Sequence, residues 1–419
     1  MEILSKGEKI KRARIYKGLT LKEVCGDKIS VSKLSCIEND KIEPDSDLLG
    51  YVAEKLELDI EYLKQDVKCQ LQRNIDMIKE NKQNEDYEKM IKYNFKYASE
   101  NKYDDMAFQL LHLLFNYYIN IDKLEKAQII TTEYYALCEK VYKLKNQITY
   151  YMDMAKYCYA NKEYSQAANY YDNVRKSLLS NKEITEEKLV SATYNESACY
   201  IMLKDYNKAY KIANDLIEVI KYVDDNLKKA EIYHMLALLS LRMDTNNFEK
   251  YERDSYELYK GYDDSKARAI FNYAVAMFDK GYNDKALSYI KKSLKCFPKY
   301  NKIDLVKFML LVLDELLQNE EIDYAREISD EVLNYSIEVD NIKFIEKSYY
   351  YKSIILMKNK EYFQAEMYMN LSLDSLMKFG NSYQIYNRYL EIGNMYHNMQ
   401  NTSESLKYFN LAIKMEKSI

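Results

Sequence analysis

The stretch Ser30–Asp40, SVSKLSCIEND, decides how the first part of the chain is read. The Ser30 hydroxyl can cap a helix N-terminus by accepting a backbone N–H. Leu34 and Ile37 lie three apart, so they share a face and pack inward. Val31, Ser32, Lys33, Ser35 and Cys36 are left on the other faces. A short helix of this build suits the second position of a helix-turn-helix, which lies in the DNA major groove with its early residues at base edges.

The flanking sequence supplies the other helices of such a domain. Gly7–Lys17 reads as a first helix, with Ile10 and Ala13 turned to the core and Lys9, Lys11 and Arg12 outside. Gly18 stops it. Thr20-Leu-Lys-Glu23 forms a capping box that opens a short helix over Leu21–Cys25. Pro44 breaks the chain, and Asp45 or Ser46 caps a fourth helix carrying Leu48, Leu49, Val52, Ala53 and Leu56. Asp59–Leu63 makes a fifth turn. Residues 1–41 hold ten Lys/Arg and six Asp/Glu, a balance of +4 in a chain of net charge −4, so the remainder carries −8. A basic head on an acidic body confines DNA contact to the head.

In order, GEKIKRARIYKGLTLKEV, ISVSKLSCIEND and the following Pro44 resemble the Xre/Cro-type helix-turn-helix family. The resemblance implies that Arg14 pairs with Glu38, tying the first helix to the third. It implies DNA contact by Val31, Ser32, Lys33, Ser35, Cys36, Asn39 and Lys41. Two positions depart from the family. Leu21 replaces a Gln that often touches phosphate, and Val31 and Cys36 stand where Gln or Arg is common. Base readout then falls to Ser32, Lys33 and apolar contact with thymine methyls.

The composition is that of an all-helical protein. Only 8 Gly and 2 Pro occur in 419 residues, where a sheet protein would need many more turns. Seven Cys without a CxxC suggest a reduced, cytoplasmic protein. Neither a signal peptide nor an apolar run of the ~18 residues a membrane helix needs is evident, so no membrane partner is expected. His112, His234 and His397 are far apart without metal-ligand spacing, and no phosphate loop or nucleophile constellation is visible. No cofactor, metal or catalytic site is expected.

From about Val67 a repeat takes over. It is seen most clearly as Lys123-Leu-Glu-Lys-Ala127, Glu163-Tyr-Ser-Gln-Ala167, Asp205-Tyr-Asn-Lys-Ala209, Tyr282-Asn-Asp-Lys-Ala286, Ile322-Asp-Tyr-Ala325 and Glu361-Tyr-Phe-Gln-Ala365. Anchors at 90, 127, 167, 209, 251, 286, 325, 365 and 405 are spaced by 35 to 42 residues. Each unit reads as an apolar helix A, a turn and an amphipathic helix B. Ala155, for example, lies twelve before Ala167. The pattern resembles the tetratricopeptide repeat, although the consensus is about 34 residues and the length alone would suit HEAT-like units. The expected fold is all-α: a helix-turn-helix over 1–66, then a right-handed superhelix of about nine degenerate tetratricopeptide-like repeats over 67–419.

Helix A lines the concave face of such an array. With its small residue counted as position eight, positions two, five, six and nine point inward. Arg268 and Asn387 fall at two, Tyr350 at five, Asp153, Asn195, Asn272 and Tyr351 at six, and Lys156 at nine. Asn can donate to and accept from a peptide backbone at once. Arg can clamp a carboxylate.

Across the whole chain the combination resembles the peptide-sensing regulators of Gram-positive bacteria, the Rap/Rgg/NprR/PlcR/PrgX group. The resemblance implies a homodimer that binds a double-stranded operator and responds to a short signalling peptide in its repeat groove, in the manner of quorum sensing. Two alternatives stand beside it: repeats that bind another protein, and a phage lysis–lysogeny peptide receptor. Aspartyl-phosphate phosphatases occur in the same group.

Overall fold

The computed structural model describes residues 2–81, 84–180 and 186–416. Among these the chain is all helical, with 24 α-helices and no strand. It divides into two compact units, 1–216 and 217–419.

The first unit begins with five short helices: α1 (Lys6–Tyr16), α2 (Leu21–Cys25), α3 (Val31–Glu38), α4 (Ser46–Leu56) and α5 (Ile60–Lys64). Ile10, Val24, Leu34, Ile37, Val52, Leu56 and Leu63 close one core. Ser30, Asp45 and Asp59 cap α3, α4 and α5, and Thr20 with Glu23 forms the capping box of α2. Lys9 departs from the expected outward position and is buried. Its Nζ donates to the carbonyls of Tyr62 and Gln65 at 2.7 and 2.8 Å. A cation at the end of α5 satisfies orphan carbonyls and opposes the helix dipole, so the aliphatic stem can be buried while the charge is paired with dipoles.

The helix pairs of this unit are α6 (Val67–Glu80) with α7 (Tyr87–Glu100), α8 (Asp104–Asn120) with α9 (Leu124–Val141), α10 (Leu144–Ala160) with α11 (Tyr164–Ser180), and α12 (Glu186–Met202) with α13 (Tyr206–Asn214). The short α14 (Leu216–Val219) follows. The second unit contains α15 (Asn226–Arg242) with α16 (Phe248–Leu258), α17 (Asp263–Phe278) with α18 (Asn283–Cys296), α19 (Lys302–Gln318) with α20 (Ile322–Glu338), α21 (Ile342–Lys358) with α22 (Tyr362–Leu376), and α23 (Ser382–Asn398) with α24 (Thr402–Glu416).

Each of the nine anchor residues is the fourth residue of helix B in its pair. All are buried except Met90, which is half-buried. The helices meet closely at these points. Ser197 Oγ donates to the Ala209 carbonyl at 2.9 Å, Ser353 Oγ to that of Ala365 at 2.8 Å, and Ser405 Oγ to that of Gly393 at 2.9 Å. A Cβ on Gly393 would come within 2.6 Å of the Phe409 ring. Small residues let the two helices approach at most of these positions, while Met90 and Tyr251 fill the anchor position with larger side chains.

From α8 onward the turns between helices A and B each use a left-handed residue, and of these eight only Gly281 is a glycine. Asp122, Lys162, Lys204, Asp244, Glu320, Lys360 and Gln400 take this conformation with a side chain. The following N–H then reaches back to helix A, as in Glu163 to Cys158 at 2.8 Å and Glu361 to Leu356 at 2.9 Å. This closes a Schellman-type C-cap and reverses the chain into helix B. The repeats are tetratricopeptide-like.

Candidate functional site

The head presents α3 to solvent. Val31, Ser32 and Lys33 on its first turn are exposed, as are Asn39 and Lys41 just beyond it, while Ser35 and Cys36 are half-buried. Leu34 and Ile37 are fully buried on the opposite face. Asn39 is already engaged: its Nδ2 donates to the Ser35 carbonyl at 2.7 Å and its Oδ1 accepts from Lys11 Nζ at 3.3 Å. It closes α3 as well as facing outward.

Arg14 and Glu38 meet in two parallel bonds, Nε to Oε1 at 2.6 Å and Nη2 to Oε2 at 2.8 Å. Arg14 Nη1 also donates to the Leu19 carbonyl at 3.1 Å. The Glu38 side chain is 3% exposed and that of Arg14 15%. The hydrogen bond to Glu38 raises the Arg14 pKa above its ordinary value. The pair joins α1, the α1–α2 turn and the end of α3.

A short arm ahead of α1 links this head to the first repeat. Ile3 is buried with Leu71 and Ile75 of α6. Leu4 exchanges two hydrogen bonds with the Gln70 side chain, at 3.1 and 2.8 Å. At the next turn the Gly7 N–H donates to Asp40 Oδ1 at 3.1 Å, just past α3. Gly7 is tight as well, since a Cβ there would lie 2.2 Å from the Ile37 carbonyl oxygen. Sequence reading missed this arm, because neither Gln70 nor Leu4 belongs to a repeating pattern.

The expected peptide-contacting residues divide into three kinds. Arg268 and Asn272 are exposed one turn apart on α17. The Arg268 guanidinium lies over the rings of Phe297 and Phe308, 5.4 and 5.8 Å from their centroids, and these rings stack at 4.4 Å. Such a platform holds a cation in place and leaves its N–H fork free for a carboxylate. Asn272 Nδ2 lies 3.3 Å from His234 Nε2. Burial pushes the His234 pKa down to about 4, so its ring is neutral near pH 7.

The second kind is occupied, and for Tyr351 the expectation fails, since its ring is buried in the core of the second unit and cannot line an open groove. Tyr350 OH donates to Glu391 at 3.0 Å and Tyr351 OH to Asp314 at 2.9 Å. The Arg388 guanidinium lies 4.0 Å from the centre of the Tyr350 ring and pairs with Glu346 at 3.0 Å and Glu391 at 2.9 Å. Arg388 and Glu346 are both buried. Their neighbour Asn387 is half-buried, as is Asn195 on α12.

Asp153 is the third kind, and here the expectation needs correction. It is 1% exposed and cannot line a solvent-filled groove. His112 Nδ1 lies 2.5 Å from its Oδ2, Tyr134 OH donates to the same oxygen at 2.7 Å, and Asn116 Nδ2 donates to Oδ1 at 2.9 Å. A buried carboxylate with this set of partners ties α8, α9 and α10 together. The exposed Lys156 Nζ reaches Asn116 Oδ1 at 3.3 Å instead of standing alone. Among the described residues, no group of three His, Cys, Asp or Glu is placed to hold a metal, and no helix is long and apolar enough to cross a membrane.

The class that this architecture defines is an all-helical protein with a five-helix head and a tetratricopeptide-like array. Among solved structures the chain is similar to RapI in its apo form, with 15% identity over 83% of this chain and 97% of that one and a TM-score of 0.50. It is also similar to the quorum sensor NprR of B. thuringiensis, with 16% identity, coverage of 84% and 100%, and a TM-score of 0.47. The PlcR protein of Bacillus thuringiensis, solved with the peptide PapR7 and DNA, matches at 16% identity over 62% of this chain and 95% of its own, with a TM-score of 0.35. No protein-family profile matches the chain, and no curated protein sequence does.

Proposed function

We propose that the chain is a DNA-binding transcription regulator that works as a homodimer. In this reading residues 1–66 are an Xre-type helix-turn-helix domain, and residues 67–419 take a short signalling peptide and mediate dimerisation. The observation that carries it is the presentation of α3: its polar first turn is exposed while Arg14 and Glu38 lock its far end to α1. Ser32 and Lys33 then read base edges, with Val31, Ser35 and Cys36 beside them, and Lys41 meets a phosphate. PlcR, solved with a peptide and DNA, supports the assignment of both partners.

For the peptide, Arg268 and Asn272 are the strongest contact candidates because both are exposed and Arg268 is pre-positioned on an aromatic platform. Asn195, Asn387 and Lys156 remain secondary candidates, and the half-buried Tyr350 would contribute a ring face, since its hydroxyl is taken; Tyr351 is buried in the core and drops out. A peptide can change DNA affinity only by preferring one arrangement of the protein over another, and the coupling is reciprocal. The arm offers a route: a displacement of α6 acts on Leu4 through Gln70, and on the end of α3 through Gly7 and Asp40.

The test is calorimetric titration of the full chain with peptides encoded by small reading frames beside its gene, using wild type, Arg268→Ala and Asn272→Ala. The reading expects binding to the wild type and weaker binding to both variants. Equal affinities for all three would place the ligand elsewhere.

A further inference from the structure

We infer that helices α6, α8 and α10 form a second, anion-selective groove in the first unit, which takes an extended peptide segment carrying two or more carboxylates. The inference deepens the peptide-sensing reading and rests on it. The cavity measures about 910 Å³ and lies between the first helices of three consecutive repeats. Lys68, Lys79, Lys102, Lys140, Lys143 and Lys145 line it, against Asp104 and Asp105 as the acidic residues. This excess of four positive charges stands in a chain whose overall charge is −4.

The internal pairing leaves much of that charge available. Lys140 holds Asp104 and Lys143 holds Asp105, each at 2.7 Å. Lys79 donates to the Gln109 side-chain oxygen at 3.2 Å and pairs with Asp76 at 3.7 Å. Lys68, Lys102 and Lys145 are exposed, and among the described residues no carboxylate lies within ion-pair distance of them. They come from α6, the α7–α8 turn and the start of α10, so the positive positions are spread along the groove rather than clustered at one end.

Dimensions and lining favour a peptide. Packed helices lie roughly 8–10 Å apart, so three first helices span about 20 Å. An extended chain covers that with about six residues. A DNA duplex is too broad for the cavity. A single strand would want a row of exposed aromatic platforms, whereas the aromatic residues of this lining are the half-buried Tyr103 and the buried Phe108. Asn146 adds an amide that can both donate to and accept from a peptide backbone. Its floor is fixed, because His112 in the lining is held by the buried Asp153. Lys68 lies on α6 two residues before Gln70, which grips the N-terminal arm, so occupancy would be felt at the head.

The experiment uses the full chain and a fluorescein-labelled hexaglutamate peptide, followed by anisotropy at low and moderate salt. Hexaglutamine and a six-nucleotide thymidylate strand serve as the neutral and nucleic-acid probes. The groove variant is Lys68→Gln/Lys102→Gln/Lys145→Gln. The control removes the same charge in exposed turns, Lys162→Gln/Lys204→Gln/Lys360→Gln, and circular dichroism establishes that both variants fold. The expected result is saturable, salt-sensitive hexaglutamate binding that falls roughly tenfold or more in the groove variant, little change in the control and no binding of hexaglutamine. Absence of hexaglutamate binding, equal affinity in the groove variant, or tighter binding of the thymidylate strand would overturn the inference. Each would leave the peptide-regulator reading intact, since that reading fails only when the adjacent-frame peptides do not bind or do not alter DNA affinity.

Discussion

Replacing Arg14 with alanine should loosen the head without unfolding the repeats. The side chain supplies two parallel bonds to Glu38 and one to the Leu19 carbonyl. Its removal leaves the Glu38 carboxylate, 3% exposed, with its charge uncompensated. Breaking a buried pair by removing one partner costs about 3–5 kcal/mol. At 1.4 kcal/mol per factor of ten, exchange of amides that open with the head should accelerate roughly 100- to 4,000-fold. Hydrogen-exchange mass spectrometry on the full chain resolves this, because peptides from α1 to α5 report the head and those from α15 onward serve as an internal standard. Arg14→Met/Glu38→Leu should recover a large part of the protection, since matched apolar replacement of a buried pair is often neutral or better. Unchanged exchange over α1 and α3 in Arg14→Ala would refute the reasoning.

Other consequences are as direct. Gly393→Val should destabilise the last repeat by about 1–3 kcal/mol through overpacking against Phe409, read as faster exchange in α23 and α24; no change would mean the two helices separate easily. Glu196 is buried beside Arg175, and burial raises its pKa to about 7 from an ordinary 4.5. The folded state therefore holds its proton more tightly than the unfolded chain, so stability of this region should fall by about 3 kcal/mol as pH rises from 4.5 to 7. Glu196→Gln should flatten that slope, and an unaltered slope would assign it to other groups. Gln70→Ala should release the arm, raising exchange over residues 2–5 while leaving the α4 and α5 amides protected; continued protection of the arm would show that Ile3 holds it alone.

Much of the fold was legible in the sequence because the repeat is enforced by geometry. The fourth position of helix B faces helix A, and the anchors from 90 to 405 all occupy that position, six of the nine as alanine. The turns were less legible. Lys162, Lys204 and Lys360 adopt left-handed conformations that a glycine would have announced. In the head, the caps of α2 to α5 follow from short-range rules, whereas the burial of Lys9 depends on the end of α5, more than fifty residues away.

The candidate sites were less readable still. Position six of helix A placed Asp153 and Asn272 in one class, yet Asp153 is buried among His112, Asn116 and Tyr134 while Asn272 is exposed. The period gives the face, and the neighbouring repeat decides whether a polar group there is consumed. The lysines of the groove formed by α6, α8 and α10 show the converse. Each alone reads as a solvated surface residue, and only the packing of consecutive repeats brings them to one cavity.

The central claim is that an exposed α3 reads duplex DNA and that the repeat array adjusts this reading. It is tested most directly by selecting bound sites from a random duplex pool with the full chain, then measuring affinity for the selected site with and without an adjacent-frame peptide that binds. The account predicts a two-fold symmetric site, a preference lost in Ser32→Ala/Lys33→Ala, a log–log salt slope reduced by roughly one in Lys41→Ala, and a peptide-dependent affinity change of about 5- to 150-fold. A selection that yields no preferred sequence, or an affinity identical with and without a tightly bound peptide, would contradict it.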